Sequence, residues 1–271
     1  MDTAHVPALN FAPTLGFPSP DSQGAVLVVP PISVTEFLQH NQGEQEMGKT
    51  IELNAADGHK LSAYQADAAG TPKGGMVVIQ EIFGVNAHMR EVADLYAKQG
   101  YTSIAPALFD RVERGVETGY TPADQERVKP IRQGLKWDQV LADVAAARDA
   151  LKKLGIQKIG IVGYCFGGSV AWLTATRLDG FAAAVGYYGG NIADFANEKP
   201  KVPVLLHVGD QDKSITAEKV ETVKKAHPDI PYYVYPGAGH GFNCDHRGSY
   251  HKESADLARS RTFEFLKKHL G

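Results

Sequence analysis

The stretch Ile159-Gly160-Ile161-Val162-Gly163-Tyr164-Cys165-Phe166-Gly167-Gly168 decides the fold. Its first half is a continuous apolar run, as a strand buried on both faces should be. Its second half opens an apolar helix, expected over residues 168–178. Between them stands Cys165, with Gly163 two positions before it and Gly167 two after. A residue at the tip of so tight a turn has a strained backbone, and side chains at the two flanking positions would collide with strand and helix, so both are glycine. This is the glycine–x–nucleophile–x–glycine elbow with cysteine in the nucleophile position. It exposes a sulfur at the carboxyl end of a sheet and at a helix N-terminus, which stabilises a thiolate and an oxyanion alike. The alternative for an isolated cysteine is core packing. The strand before, the helix after and the three glycines favour the nucleophile.

Strands and helices alternate on both sides of this turn. Upstream, residues 50–53 and 61–66 flank Asp57-Gly58, a hairpin signal. Met76-Val77-Val78-Ile79-Gln80 follows Gly74-Gly75 as another buried strand. Residues 86–99 put Met89, Val92, Ala93, Tyr96 and Ala97 on one helical face, with Gly100 past the end. A strand is expected over 101–108 and a long amphipathic helix over 137–154, ended by Gly155. Downstream, strands are expected over 182–188, 202–208 and 231–235, and helices over 216–226 and 250–270. Such alternation builds an α/β domain, a mostly parallel sheet with helices on both faces, and the opening hairpin adds an antiparallel edge. There is no internal repeat and no second core, so residues 47–271 read as one domain.

Residues 1–46 differ. They carry Pro7, Pro13, Pro18, Pro20, Pro30 and Pro31 and no sustained periodic pattern, and are expected to form a disordered arm. Met47 is either the true start or follows a genuine extension; the sequence leaves both open.

Composition narrows the function classes. Of 271 residues, 43% are hydrophobic and 22% charged, which is ordinary globular usage and enough to bury a substantial core. The 28 Lys and Arg against 31 Asp and Glu give a net charge of −3, so no basic field stands ready for nucleic acid or anionic lipid. The two cysteines, Cys165 and Cys244, cannot build a disulfide framework or a four-thiolate zinc site. No apolar run is long enough to span a bilayer, and no basic, then apolar, leader opens the chain. A cytoplasmic monomer acting on a small molecule is the expectation.

A cysteine nucleophile needs a base and an acid to orient it, in the chain order nucleophile, acid, histidine. Both follow. Gly209-Asp210-Gln211-Asp212 comes at the carboxyl end of one strand, and Gly237-Ala238-Gly239-His240-Gly241-Phe242 after the next. His240 in its glycine-rich loop is free to reach the sulfur, and Asp212 to hold its imidazole. Asp210 competes with Asp212 but is also a turn-former or helix cap. His207, inside a strand, reads as a packing residue; His246 and His251 show no paired metal spacing, and Cys244 reads as a bystander.

With these motifs in order, the chain resembles the dienelactone hydrolase (carboxymethylenebutenolidase) family from Thr50 to its end. Gln80-Glu81-Ile82-Phe83-Gly84-Val85-Asn86, the elbow, Gly186-Tyr187-Tyr188-Gly189 and Gly239-His240-Gly241-Phe242 carry the resemblance. It implies an α/β-hydrolase fold and a hydrolase that opens an unsaturated lactone from aromatic-compound breakdown through an acyl-enzyme thioester, with no metal or organic cofactor. It implies that Glu81 helps deprotonate Cys165 when substrate binds, and that the backbone amides of Ile82 and Phe166 form the oxyanion hole. Family members carry an arginine four residues after the catalytic histidine that binds substrate carboxylate and resting glutamate. Here that position is Cys244, and Arg247 is the substitute. For a second family arginine Arg127 is the nearest candidate, with Lys129 and Arg111 as rivals. Other readings are a broad small-ester or lactone hydrolase, a thiol-redox protein using Cys165 and Cys244, and a binding protein that kept the fold without catalysis.

Overall fold

Six-residue strands buried at every position require cover on both faces of their sheet. The computed structural model describes residues 48–271, and the arm expected over 1–46 lies outside them. Its β3 (Gly74–Ile79), β4 (Tyr101–Pro106), β5 (Ile159–Tyr164) and β7 (Val204–Gly209) are strands of this kind. With β1 (Lys49–Asn54), β2 (Lys60–Ala66), β6 (Ala183–Tyr187) and β8 (Tyr232–Tyr235) they form one sheet in the order β1-β2-β4-β3-β5-β6-β7-β8. The hairpin β1–β2 and the pair β2–β4 are antiparallel, and every other pair is parallel. The α/β-hydrolase fold with an antiparallel edge is the observed architecture.

Helices α1 (Ala87–Lys98), α2 (Pro122–Gly134), α3 (Trp137–Lys153), α4 (Phe166–Arg177), α5 (Ala217–Ala226) and α6 (Lys252–Leu270) cover the sheet. Side chains alternate across a strand, so neighbours in β3 enter different cores. Val77 and Ile79 pack in the cluster of Val144 and Leu151 from α3 and Val170 from α4. Met76 and Val78 pack in that of Met89 and Tyr96 from α1 and Ala258 and Leu266 from α6. No described helix is long and apolar enough to cross a membrane.

The main departures from expectation are two boundaries and one whole helix. The strand predicted over 101–108 stops at Pro106, where a 3-10 turn, Leu108–Arg111, takes over. The side-chain oxygen of Gln80 accepts the Leu108 amide at 3.1 Å and holds that turn to the end of β3. Helix α4 starts at Phe166, because Cys165 itself serves as its N-cap residue. Helix α2 was not anticipated at all. It is capped by Thr121, whose side chain and that of Asp124 each accept the other's amide, and Pro122 occupies its first turn.

Candidate active site

The elbow has the strain its sequence predicts. Cys165 sits at φ 54°, ψ −115°, in the left-handed half of backbone space that a side chain rarely enters. Its amide donates to the Tyr187 carbonyl at 3.0 Å, which ties the turn to β6. A Cβ on Gly163 would lie 1.8 Å from the Gly167 carbonyl oxygen, and one on Gly167 would lie 2.5 Å from that of Ile79. Only glycine lets α4 approach the sheet this closely.

The acid and the histidine arrive from the ends of β7 and β8. Asp212 Oδ2 faces His240 Nδ1 at 2.7 Å. The other carboxylate oxygen accepts the amides of Ser214 at 2.8 Å and Ile215 at 3.2 Å, so the buried carboxylate is fixed from both sides. With Nδ1 engaged, the opposite ring nitrogen is left for the sulfur. Burial works against a charged imidazole here. The Cys165 sulfur beside it, when ionised, and the Asp212 hydrogen bond overcome that and raise the His240 pKa to about 10. Asp210 is the turn-former: it is exposed, and its carboxylate accepts the Gly237 amide at 2.8 Å.

Glu81 lies two residues past the end of β3 and is 1% exposed. Arg247 Nη1 meets its Oε1 at 3.1 Å. Its Oε2 is buried with no hydrogen-bond partner among the described residues. Arg247 reaches this position with its guanidinium 5.6 Å from the Phe83 ring centroid and 5.5 Å from that of Tyr120. Its path is open because residue 241 is glycine, at φ 77°; a Cβ there would lie 2.5 Å from Nη1.

Cys165, His240, Ile82, Phe166 and Arg247 line one cavity of about 320 Å3, and Arg132 joins them. Arg127 does not. It pairs with Glu113 on an exposed stretch of α2, while Lys129 pairs with Glu126 and Arg111 is spent on Asp57 and Asp143. Arg132, farther along α2, turns its guanidinium over Phe166, 4.1 Å from the ring centroid, and over Trp137 at 4.9 Å. Burial lowers its pKa and the nearby sulfur opposes that. Sequence reasoning missed Arg132 because it missed α2; the signal was the Thr121-Pro122 cap. It also passed over Tyr188, whose φ of 39° accompanies a ring centroid 5.2 Å from that of His240.

His207 is a core residue, with its ring nitrogens 2.8 Å from the Tyr235 hydroxyl and 3.1 Å from that of Thr262. His251 caps α6. The cavity thus offers a strained thiol, an oriented imidazole and two guanidiniums, one of them paired with the buried Glu81 carboxylate, a set suited to acyl transfer on an anionic substrate.

Comparison with known proteins gives the relatives of this chain. The model of the dienelactone hydrolase family matches residues 61–270. A carboxymethylenebutenolidase of Pseudomonas putida is 33% identical over 227 residues, covering 80% of this chain and 94% of its own. A candidate carboxymethylenebutenolidase of Yersinia pestis is 35% identical over 232 residues, covering 79% and 86%. The crystal structure of a candidate dienelactone hydrolase from Klebsiella pneumoniae superposes with a TM-score of 0.72 at 30% identity, over 82% of this chain and 99% of that one.

Proposed function

This chain belongs to the dienelactone hydrolase family and is a hydrolase of ester or lactone bonds, and on that premise we propose that Cys165 is its nucleophile and an unsaturated, carboxylate-bearing lactone its substrate. The observation that carries the reading is the strained Cys165 in one cavity with His240, itself 2.7 Å from Asp212. The sulfur adds to the carbonyl carbon, and the amides of Ile82 and Phe166 stabilise the oxyanion. The ring C–O bond breaks, the leaving oxygen takes a proton from His240, and an acyl thioester remains on Cys165. His240 then removes a proton from water, which adds to the thioester and expels the thiolate.

Glu81 makes the thiol active on demand. In the resting enzyme its carboxylate is engaged by Arg247. A substrate carboxylate competes for Arg247, with Arg132 as a second anchor, and the released Glu81 takes the thiol proton. This places substrate selection and nucleophile activation in one event. We read the enzyme as a cytoplasmic monomer whose two free thiols suit a reducing compartment.

A broad small-ester hydrolase is the second reading, supported by the apolar cavity wall of Ile82, Phe83 and Phe166. Assays of dienelactone against p-nitrophenyl esters, with Cys165→Ala as control, separate the two. The proposal expects kcat/KM to favour dienelactone and a trapped acyl-enzyme mass on Cys165. Full turnover by Cys165→Ala would overturn it.

A further inference from the structure

We propose that His88, Glu91, Asp245 and His246 bind a divalent transition-metal ion of the zinc class where α1 meets the loop after His240. One donor atom from each lies within 4.8 Å of all the others. His88 and Glu91 stand three residues apart on α1 and so share a face. Asp245 and His246 are adjacent in the loop. His246 Nε2 is 2.8 Å from Glu91 Oε2, and His88 Nδ1 is 3.3 Å from Asp245 Oδ1. Four nitrogen and oxygen ligands bound at about 2.0–2.2 Å in a tetrahedron stand roughly 3.3–3.6 Å apart, so the present spacing needs only small rotamer adjustments.

The second observation is His88 itself. It is 5% exposed, and its Nδ1 makes no well-aligned hydrogen bond among the described residues, although it faces the Asp245 carboxylate at 3.3 Å. A buried ring nitrogen held by one poorly aligned contact is costly. Here it is aimed at three side chains that are each at least a third exposed and can converge on one ion. The His88 and His246 ring centroids are 5.2 Å apart. Two imidazole nitrogens and two carboxylates are a donor set that a dication of the zinc class accepts. His246 also borders a solvent-open cavity of about 470 Å3, which gives the ion a route in. Arg247 follows His246 directly, so an occupied site anchors the loop that presents the guanidinium to Glu81.

The test uses the full chain, stripped with EDTA and alkylated at Cys165 so that the catalytic thiol takes no metal. Zinc chloride is titrated calorimetrically, and melting is followed with and without it. The proposal expects one equivalent bound and a higher melting temperature that EDTA reverses. The double variant Glu91→Gln/His246→Ala changes two partly exposed residues; its far-UV spectrum should match the wild type and its zinc affinity should fall at least ~100-fold, beyond the loss from removing a supporting group. Failure of the wild type to take up zinc, or equal uptake by the double variant, would overturn the proposal. Neither result bears on the Cys165 reading, which is tested by hydrolysis alone.

Discussion

Arg247 Nη1 lies 3.1 Å from Glu81 Oε1, although 166 residues separate the two in the chain. The glutamate side chain is 1% exposed and the arginine 16%, so the pair is shielded from the solvent that makes surface ion pairs weak. Removing one partner of a buried pair strands the other. Arg247→Met is therefore expected to destabilise the protein by about 3–5 kcal/mol at neutral pH. Urea unfolding measures this, and an unchanged stability would mean that the pair is not held in the resting enzyme.

Glu81→Gln keeps the shape and removes the base. It leaves Arg247 facing a neutral amide, so some stability should be lost, but the variant should still fold and should slow acylation by roughly 10²–10⁴-fold. Raising the pH should restore part of the rate by ionising the thiol directly. Stopped-flow acylation across pH, beside a thermal melt, checks both. Wild-type acylation by a stable variant at neutral pH would remove Glu81 from the activation step.

The protonation of His240 depends on its neighbour. Burial acts against a charged ring, and the Cys165 sulfur, when ionised, is the largest influence raising its pKa, to about 10. In Cys165→Ala the imidazole loses that influence and keeps the burial, so its pKa should fall below that of the wild type. Titration of the ring resonances by NMR reads the shift. An unmoved value would show that sulfur and ring do not interact.

His207 sets an acid limit. Burial, aided by the Arg261 charge, lowers its pKa to about 3, against about 6.5 in an unfolded chain. Between these values the unfolded state binds the extra proton, so stability rises with pH and is lost as pH falls, by up to about 1.4 kcal/mol per pH unit. His207→Gln should flatten this part of the stability profile even if the variant starts less stable. Denaturant melts from pH 3 to 7 give the two slopes, and equal slopes would refute the assignment.

Truncation tests the domain boundary. A chain beginning at Met47 should retain the melting temperature and turnover of the full protein, because residues 1–46 offer no periodic apolar face to bury. A drop of several degrees would mean that the arm packs on the domain.

The elbow was legible in the sequence because glycine spacing reports a local steric need, later visible as the short contacts of Gly163 and Gly167. The sheet was legible because strands buried on both faces leave unbroken apolar runs. Helix α2 was not. It buries only Val128 and Ile131 and contains Pro130, so its apolar period is faint. Losing α2 lost Arg132 and favoured Arg127, since a charge five residues away looks equivalent until helical rotation is known. The four donors of the proposed metal site were invisible for another reason. They fall in two pairs far apart in the chain, and only the packing of the His240 loop on α1 joins them.

The sheet order also sets a schedule for the nascent chain. Strand β3 pairs with β4 on one edge and with β5 on the other, and β5 begins only at Ile159. During synthesis, Met76–Ile79 therefore emerges with β4 close behind, while its second edge waits for α1, α2 and α3 to be made. At about 5–20 residues per second that interval lasts on the order of ten seconds. Through it an apolar strand edge stands open to pairing with other chains. The segment that carries Cys165 is the one that closes it, so the ribosome delivers the nucleophile and the protection of the nascent sheet in a single stretch of chain.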